Sequence, residues 1–385
     1  MKPIRITNAT SNDQLLYFTS TSLLSNDQGL VFLSDRTGHP NIFYKDLITG
    51  EERQLTFNTE GCLKSYVYFW GNEYKGLGKA SISLHADSGN IYFIQGRQVC
   101  CVDIEGNYRV LAELPDQQVT AFTHVSSDGT RLCVPTTDAR ALEYDTPQDT
   151  GRYSPDYDID KRIQKENLNS YLRIYDTATG EEMVAECVPK AWITHVQFCP
   201  TDPSLILYNH EWPSDCGIRR VWLWDGKEHR QLRTENYERD RGDWTCHEMW
   251  QRNGREIIYH GAYKNGIPYI GKVNWDGSSI IEVSLPEIYR KYGHFTVSNT
   301  GLLVSDGYYQ TADEPLDGCG QWITLQRIDW EYRMIQWIPL CKSGSNWDSQ
   351  DSHPHPIFNH GDTAVYFTSN KEGFRAIYRV DVPSL

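Results

Sequence analysis

The fold is decided by residues 30–56, which read LVFLSDRTGHPNIFYKDLITGEERQLT. An apolar strand is followed by Ser-Asp, a turn containing Gly, and a second strand that ends on Asp. The alternation within NIFYKDL is typical of a half-buried antiparallel strand. The same order returns near the end of the chain in AVYFTSNKEGFRAIYRVDV (364–382). These two stretches predict a repeating unit of antiparallel strands.

Five related units lie between these two stretches, at roughly 82–115, 124–188, 195–232, 247–284 and 294–340. Seven four-stranded units in series close into a ring around a central channel. The chain is therefore predicted to be all-β, a single seven-bladed β-propeller over 1–385. Its blades fall at roughly 15–60, 80–115, 120–188, 192–235, 245–287, 292–340 and 350–385. The competing architectures are a solenoid or a pair of β-sandwiches. Segment 151–170 is polar and is predicted to be a helix or loop inserted in the third blade.

Charge and composition restrict the partners. The formal net charge of -14 argues against nucleic acid, and it requires a locally cationic spot for any anionic substrate. The N-terminal residues lack the apolar region of a secretory signal, and no stretch reaches the roughly 18 apolar residues of a membrane span. The ten cysteines form no CxxC pair. We therefore expect a cytoplasmic protein with reduced thiols and no membrane contact.

Four units contain the same frame of a histidine followed three residues later by an apolar residue: His195, His247, His294 and His355. The frame marks the start of the innermost strand of a blade, and these starts surround one mouth of the channel. The frame therefore predicts that four imidazoles converge there. His210 and His260 fall in second strands instead and are predicted to be core groups.

The last unit adds a metal-binding pattern. Pro354 favours an extended conformation for His353, so that His353 and His355 project to the same side. His294 of the neighbouring blade would complete a three-histidine site, and Gln350 could add an amide oxygen. Mixed imidazole and oxygen ligands suit Mn²⁺ better than Zn²⁺ or Ca²⁺. The alternative is a set of hydrogen-bonded structural histidines.

Several stretches resemble the oligogalacturonate lyases of polysaccharide lyase family 22, at 16–39, 195–222, 246–261, 293–294 and 350–373. The resemblance implies a seven-bladed propeller with Mn²⁺ at the channel mouth and the cleavage of short oligogalacturonides by β-elimination. The family's metal ligands match His294, Gln350, His353 and His355.

The same resemblance implies the catalytic groups. The family's base matches His247, and its carboxylate-binding arginine matches Arg220. Arg219 is adjacent, so the match could be displaced by one residue. Arg219, His195 and Tyr17 are assigned to substrate binding. Further aromatic candidates for sugar stacking are Phe18, Tyr68, Trp70 and Tyr308, and loop 66–79 is a candidate substrate loop.

Three other functions are compatible with parts of the pattern. A non-catalytic propeller of the TolB or WD type would share the blade repeat but would not need convergent histidines. A glycoside hydrolase would need two facing carboxylic acids, and no acidic residue occupies the histidine frame. A lyase that acts on a different uronic-acid oligosaccharide would share the same chemistry. The oligomeric state stays open.

Overall fold

The computed structural model describes residues 1–60, 81–142, 163, 165–211, 220–234, 243–285, 293–307, 321–347 and 350–384. These residues form seven antiparallel sheets; six are built from strands that follow one another in the chain, and the seventh adds an N-terminal strand to the last three strands of the chain. The predicted all-β seven-bladed propeller is therefore confirmed. No helix within the described ranges is long and apolar enough to cross a membrane. None of the seven cysteines in these ranges forms a disulfide.

The strands of the first four blades follow one another in the chain. They are Asp13–Leu15, Gly29–Ser34, Asn41–Asp46 and Glu52–Gln54 (β2–β5, blade 1); Ser83–His85, Asn90–Gln95, Gln98–Val102 and Tyr108–Glu113 (β6–β9, blade 2); Gln118–Thr120, His124–Val125, Arg131–Asp138, Asn169–Asp176 and Glu182–Pro189 (β10–β14, blade 3); and Val196–Phe198, Ile206–Tyr208, Trp222–Trp224 and His229–Gln231 (β15–β18, blade 4).

The remaining three blades follow the same order. They are Trp244–Trp250, Glu256–Ala262, Pro268–Asn274 and Ile281–Ser284 (β19–β22, blade 5); Phe295–Val297, Leu303–Ser305, Trp322–Asp329 and Met334–Lys342 (β23–β26, blade 6); and Ile357–Phe358, Ala364–Ser369 and Ala376–Asp381 (β27–β29, blade 7). Short 3₁₀ turns occupy Ala139–Leu142 and Gln350–Ser352.

The N-terminus closes the ring. Strand β1 (Ile4–Arg5) pairs antiparallel with β29, so the outermost strand of blade 7 comes from the beginning of the chain. The backbone N–H of Ile6 continues this pairing by donating to the carbonyl of Ile377 at 2.8 Å. The N-terminal segment that leads into blade 1 is thus hydrogen-bonded into the sheet of blade 7, where it satisfies an edge that would otherwise be open.

Side chains also link the inner strands of adjacent blades. The N–H of Phe198 donates to Nδ1 of His124, which joins blades 4 and 3. The amide of Gln197 donates to the carbonyl of Glu248 at 2.8 Å, and the hydroxyl of Thr296 donates to the carbonyl of Pro356 at 3.0 Å. These bonds fix the inner strands of blades 3 and 4, 4 and 5, and 6 and 7 relative to each other. They therefore help to fix the histidines on or beside these strands.

Candidate active site and metal centre

Three of the four frame histidines come just before the inner strands of blades 4, 6 and 7, namely His195, His294 and His355. His247 lies within the inner strand of blade 5, β19, and not at its start as the sequence predicted. The ring centroids of His247 and His294 are 4.6 Å apart, and those of His294 and His355 are 4.2 Å apart. The Tyr17 ring lies between the two ends of the row, 5.7 Å from His195 and 5.0 Å from His355. One mouth of the channel therefore gathers histidines from four successive blades.

Two of these histidines have unusual backbone conformations. His247 has φ of 45° and His355 has φ of 46°, both in the left-handed region that non-glycine residues seldom adopt. In β19 the strand register shifts between Cys246 and Glu248, so His247 is the extra residue of a β-bulge. Bulges redirect side chains, and strained residues persist where the surrounding structure holds them. The sequence predicted an extended chain through His353 and His355, but the left-handed backbone of His355 interrupts it. The ring of His355 nevertheless lies in the histidine cluster.

Three histidines form a candidate metal centre. His294, His353 and His355 each offer a ligand nitrogen, and the three atoms lie within 4.8 Å of one another. His294 and His355 are buried, whereas His353 is half-buried beside Trp347 with ring centroids 4.3 Å apart. Three converging imidazoles are a donor set that fits a divalent transition-metal ion and leaves room for further oxygen ligands.

Asp306 supports this centre from behind. Its carboxylate is fully buried, and its Oδ1 accepts the backbone N–H of His294 at 2.6 Å. Its Oδ2 lies 3.0 Å from Nδ1 of His294 and accepts the backbone N–H of His355 at 3.1 Å. A carboxylate on Nδ1 orients a metal-binding imidazole and raises its basicity, while the other nitrogen faces the cation. Asp306 thus positions two of the three candidate ligands.

Asp306 is one of three polar residues that lie on second strands opposite frame histidines. Asn209 Oδ1 accepts the backbone N–H of His195 at 2.7 Å, 14 residues earlier in the chain. Nε2 of His260 lies 3.0 Å from Nδ1 of His247, 13 residues away, and Asp306 is 12 residues from His294. A polar residue at this interval after three of the four frame histidines was the sequence signal that could have revealed these supporting groups.

The substitution Gly293→Ala is expected to weaken metal binding by roughly 10–100-fold, the usual cost of disturbing a group behind a metal ligand. A Cβ at Gly293 would lie 2.0 Å from Oδ1 and 2.7 Å from the backbone oxygen of Asp306, so the carboxylate must move. Calorimetric titration of the metal-free protein with Mn²⁺ measures the change. Gly361→Ala is the control, because its Cβ meets no atom closer than 3.4 Å. Equal affinity in both variants would contradict the assigned role of Asp306.

His247 has the properties of a neutral base. Burial lowers its pKa well below the ordinary value, and neighbouring basic groups, above all His294 and His260, lower it further. The imidazole is therefore uncharged near neutral pH. Its Nδ1 lies 3.0 Å from Nε2 of His260, which leaves Nε2 of His247 as the nitrogen directed away from that pair.

Arg220 lies in a buried network with two carboxylates. Its side chain is 1% exposed, and NH2 donates to Oε2 of Glu211 at 3.1 Å while NH1 lies 3.4 Å from Oε1 of Glu248. NH1 also donates to Nδ1 of His195 at 3.0 Å. A guanidinium can only donate, so Nδ1 of His195 must accept, and a neutral His195 carries its proton on Nε2. The network therefore makes His195 a hydrogen-bond donor.

Tyr17 and Phe18 form the floor of the site. Both are 3% exposed, and their ring centroids are 4.5 Å apart. Phe18 lies 5.2 Å from the ring of His294 and 5.7 Å from that of His355, almost parallel to the latter. His124 anchors the next residue of this segment through a hydrogen bond from its ring to the backbone of Thr19. Burial lowers the pKa of His124 to about 4, so the ring is neutral. The aromatic pair thus gives the histidine cluster an apolar wall.

The sequence profile of a family described as oligogalacturonate lyase matches residues 34–385. The chain belongs to the oligogalacturonate lyase family. An oligogalacturonate lyase of Dickeya dadantii is 23% identical over 95% of this chain and 89% of its own length. An oligogalacturonide lyase of Pectobacterium atrosepticum is 27% identical over 54% of each chain. The resemblance inferred from the sequence is thus confirmed.

Solved structures that carry this family's description share the fold. An oligogalacturonate lyase from Vibrio parahaemolyticus is 24% identical with a TM-score of 0.75, and the match covers 99% of this chain and 93% of the other. An oligogalacturonate lyase solved in complex with manganese is 22% identical, with the same TM-score and coverage. Both confirm the propeller architecture.

Some site residues expected from the oligogalacturonate lyase resemblance cannot be placed. Gln350 lies in the 3₁₀ turn that precedes His353, but its side chain is outside the description. Also outside the described residues are Arg219, Tyr68, Trp70, Tyr308, loop 66–79 and most of segment 151–170, whose last two residues begin β13. Their predicted roles stay predictions.

Proposed function

We propose that this protein is a manganese-dependent lyase that cleaves short oligogalacturonides by β-elimination. The observation that carries the proposal is the convergence of His294, His353 and His355 within 4.8 Å of one another, beside the neutral His247. Manganese is the cation held by the related lyase structure. Both the metal and the substrate class follow from membership of the family.

The candidate ligands are His294, His353 and His355, with Gln350 as a predicted fourth. When bound there, a divalent cation would neutralise the carboxylate of the uronate and make the adjacent C5 proton more acidic. Asp306 holds two of the ligands through buried hydrogen bonds, so little reorganisation is needed when the site is filled. The donor set and its support both fit the proposed ion.

His247 is proposed as the base. It can accept the C5 proton on Nε2, because its Nδ1 already faces His260. A base that is neutral near pH 7 does not have to lose a proton before it reacts, and positioned bases contribute about 10²–10⁴-fold to a rate. As the C5–H bond breaks, its electrons form the double bond between C4 and C5, and the O4 leaving group departs.

Arg220, His195, Tyr17 and Arg219 are proposed to serve the substrate. The contacts of Arg220 with Glu211 and Glu248 support an indirect role, in which the guanidinium orients His195 as a donor to a substrate oxygen. A direct fork onto the substrate carboxylate would require Arg220 to exchange one of these protein carboxylates. The position of Tyr17 in the floor supports shaping of the site. A cytoplasmic location is also proposed, in keeping with the net charge of -14 and the reduced thiols.

We expect the protein saturated with Mn²⁺ to convert trigalacturonate into an unsaturated product that absorbs in the near ultraviolet, because elimination conjugates the new double bond with the carboxylate. The chelated protein should be inactive, and Mn²⁺ should restore the rate. The measurement is absorbance over time, together with mass spectrometry of the products. A uronide oligosaccharide of different stereochemistry tests the competing substrate class. Absence of product from both substrates would overturn the lyase proposal and favour a non-catalytic propeller.

A further inference from the structure

Three frame histidines differ in what faces their Nδ1 atoms. Nδ1 of His294 faces the carboxylate of Asp306, and Nδ1 of His195 faces the guanidinium of Arg220. Nδ1 of His247 instead faces another imidazole, Nε2 of His260, at 3.0 Å. A carboxylate, a guanidinium and an imidazole therefore face Nδ1 of three different frame histidines. A carboxylate or a guanidinium on Nδ1 fixes which nitrogen of a neutral histidine carries the proton, whereas an imidazole on Nδ1 can either accept or donate.

We propose that His260 is a positioning residue, which holds the proton of His247 on Nδ1 and thereby keeps the other nitrogen able to accept a proton from the substrate. This inference rests on the proposed lyase function. Only one of the two facing nitrogens can carry a hydrogen in a neutral pair. When His247 donates to His260, Nε2 of His247 keeps its lone pair. In the reverse arrangement Nε2 of His247 carries the hydrogen and cannot act as a base.

The hydrogen bond gains strength as the reaction proceeds. The C5 proton passes to Nε2 of His247, the C5–H electrons form the C4=C5 bond, and O4 leaves and takes a proton from water. His247 is then an imidazolium, and its Nδ1–H donates to the neutral Nε2 of His260 in a charge-assisted bond. The cation afterwards releases its proton to solvent. An interaction that is stronger in the charged state lowers the barrier, because it favours the transition state over the ground state.

A neutral ring suits this place better than a carboxylate. The substrate is itself an anion, so a negative charge behind the base would repel it. The carboxylate of Asp306 stands behind His294 instead, where a cation is to be bound. His260 can fix the tautomer of His247 without adding charge, whereas Asp306 both orients its imidazole and increases its donor strength. The imidazole of His260 thus suits proton transfer at His247, and the carboxylate of Asp306 suits metal binding at His294.

The backbone makes the pair rigid. His260 is 2% exposed in the centre of β20, opposite Cys246, and its ring meets the edge of Phe295 with centroids 5.9 Å apart. The bulge at His247 gives that residue its left-handed φ and directs its ring towards the adjoining strand. Without the bulge, His247 would alternate to the opposite face from its neighbour Cys246. The bulge at His247 thus places its ring where it can form the hydrogen bond with His260.

The test compares His260→Leu with His260→Gln. Leucine removes the acceptor, whereas the amide oxygen of glutamine can still accept from Nδ1 of His247. We expect His260→Leu to lower kcat by roughly 10–100-fold with little change in KM or bound Mn²⁺. His260→Gln should recover most of this loss. If His260 had only a structural role, both variants would lose the same amount of activity. Equal rates in the two variants, or a wild-type rate in His260→Leu, would overturn the inference.

The matched controls are His229→Leu and His229→Gln. His229 is also a hydrogen-bonded histidine, 2.9 Å from the hydroxyl of Tyr208 and 3.1 Å from Glu186, but it lies on the outermost strand of blade 4. Both control variants should keep the wild-type kcat. If His229→Leu loses as much activity as His260→Leu, the loss reflects general damage to the fold and the inference fails.

A second measurement does not depend on activity. Nitrogen-15 NMR of histidine-labelled, metal-free protein reports which ring nitrogen is protonated, and His247→Ala identifies the signals of His247. We expect protonated Nδ1 in the wild type and in His260→Gln, and a shift towards protonated Nε2 in His260→Leu. If the wild type shows protonated Nδ1 of His247 but has no activity, the lyase function is refuted, whereas the proposed role of His260 in placing that proton stands. An active wild type with His247 protonated on Nε2 would refute the pair alone.

Discussion

The substitution His353→Ala is expected to abolish stoichiometric Mn²⁺ binding and lyase activity together. His353 supplies one of three nitrogens that lie within 4.8 Å of one another, and the remaining two imidazoles form a much weaker chelate. We expect the affinity for Mn²⁺ to fall by more than about 100-fold, a larger effect than that of changing a group behind a ligand. Elemental analysis of the purified variant and the ultraviolet assay on trigalacturonate measure the two losses.

The fold should survive this change. His353 is half-buried at the mouth and outside the strands, and its main described contact is the ring of Trp347. The thermal transition of His353→Ala should therefore match that of the metal-free wild type. His85→Ala is the control, because His85 ends β6 in blade 2 and forms hydrogen bonds with Ser88 and with the carbonyl of Ser127. A His353→Ala protein that keeps both metal and activity would show that the cation is bound elsewhere.

The sequence was sufficient to predict the propeller and the row of histidines because both depend on repetition. Each blade repeats the same local pattern, so a histidine at one frame position has the same place in every blade. His195, His247, His294 and His355 could thus be assigned to one mouth without knowledge of any contact. Ring closure by Ile4–Arg5 was not foreseen, because a strand of two residues has no periodicity to detect.

The supporting shell could not be predicted in the same way. Asp306 and His260 lie on second strands, and their partners depend on the register between strands, which a single sequence does not fix. His260 was predicted to be a core group, and it is buried, but the bulge at His247 brings the two imidazoles into hydrogen-bonding distance. The sequence analysis also missed the contacts of Arg220 with Glu211 and Glu248. Residues 212–219 separate Glu211 from Arg220, so their proximity in the fold is not evident from the sequence.

The substitution His247→Ala is expected to lower kcat by about 10²–10⁴-fold, the contribution of a positioned base. His247 lies outside the proposed centre of His294, His353 and His355, although it forms a second group of possible ligands with Cys246 and His260. Mn²⁺ bound at the proposed centre should therefore stay stoichiometric, unlike in His353→Ala. KM should change little, because the interaction is lost mainly in the transition state. Alanine keeps the Cβ, so the left-handed backbone at φ 45° is no more strained than in the wild type. Steady-state kinetics and elemental analysis together separate the base from the metal site.

Added imidazole provides the decisive control for His247→Ala. The truncated side chain leaves a space beside His260 that a small neutral base can enter, so imidazole should restore part of the rate in a saturable manner. It should not restore His353→Ala under the same conditions, because that variant lacks the cation. If His247→Ala retains the wild-type kcat, the proton goes to another group. His195 would not replace it readily, since its Nδ1 accepts from Arg220 and its Nε2 therefore carries a proton.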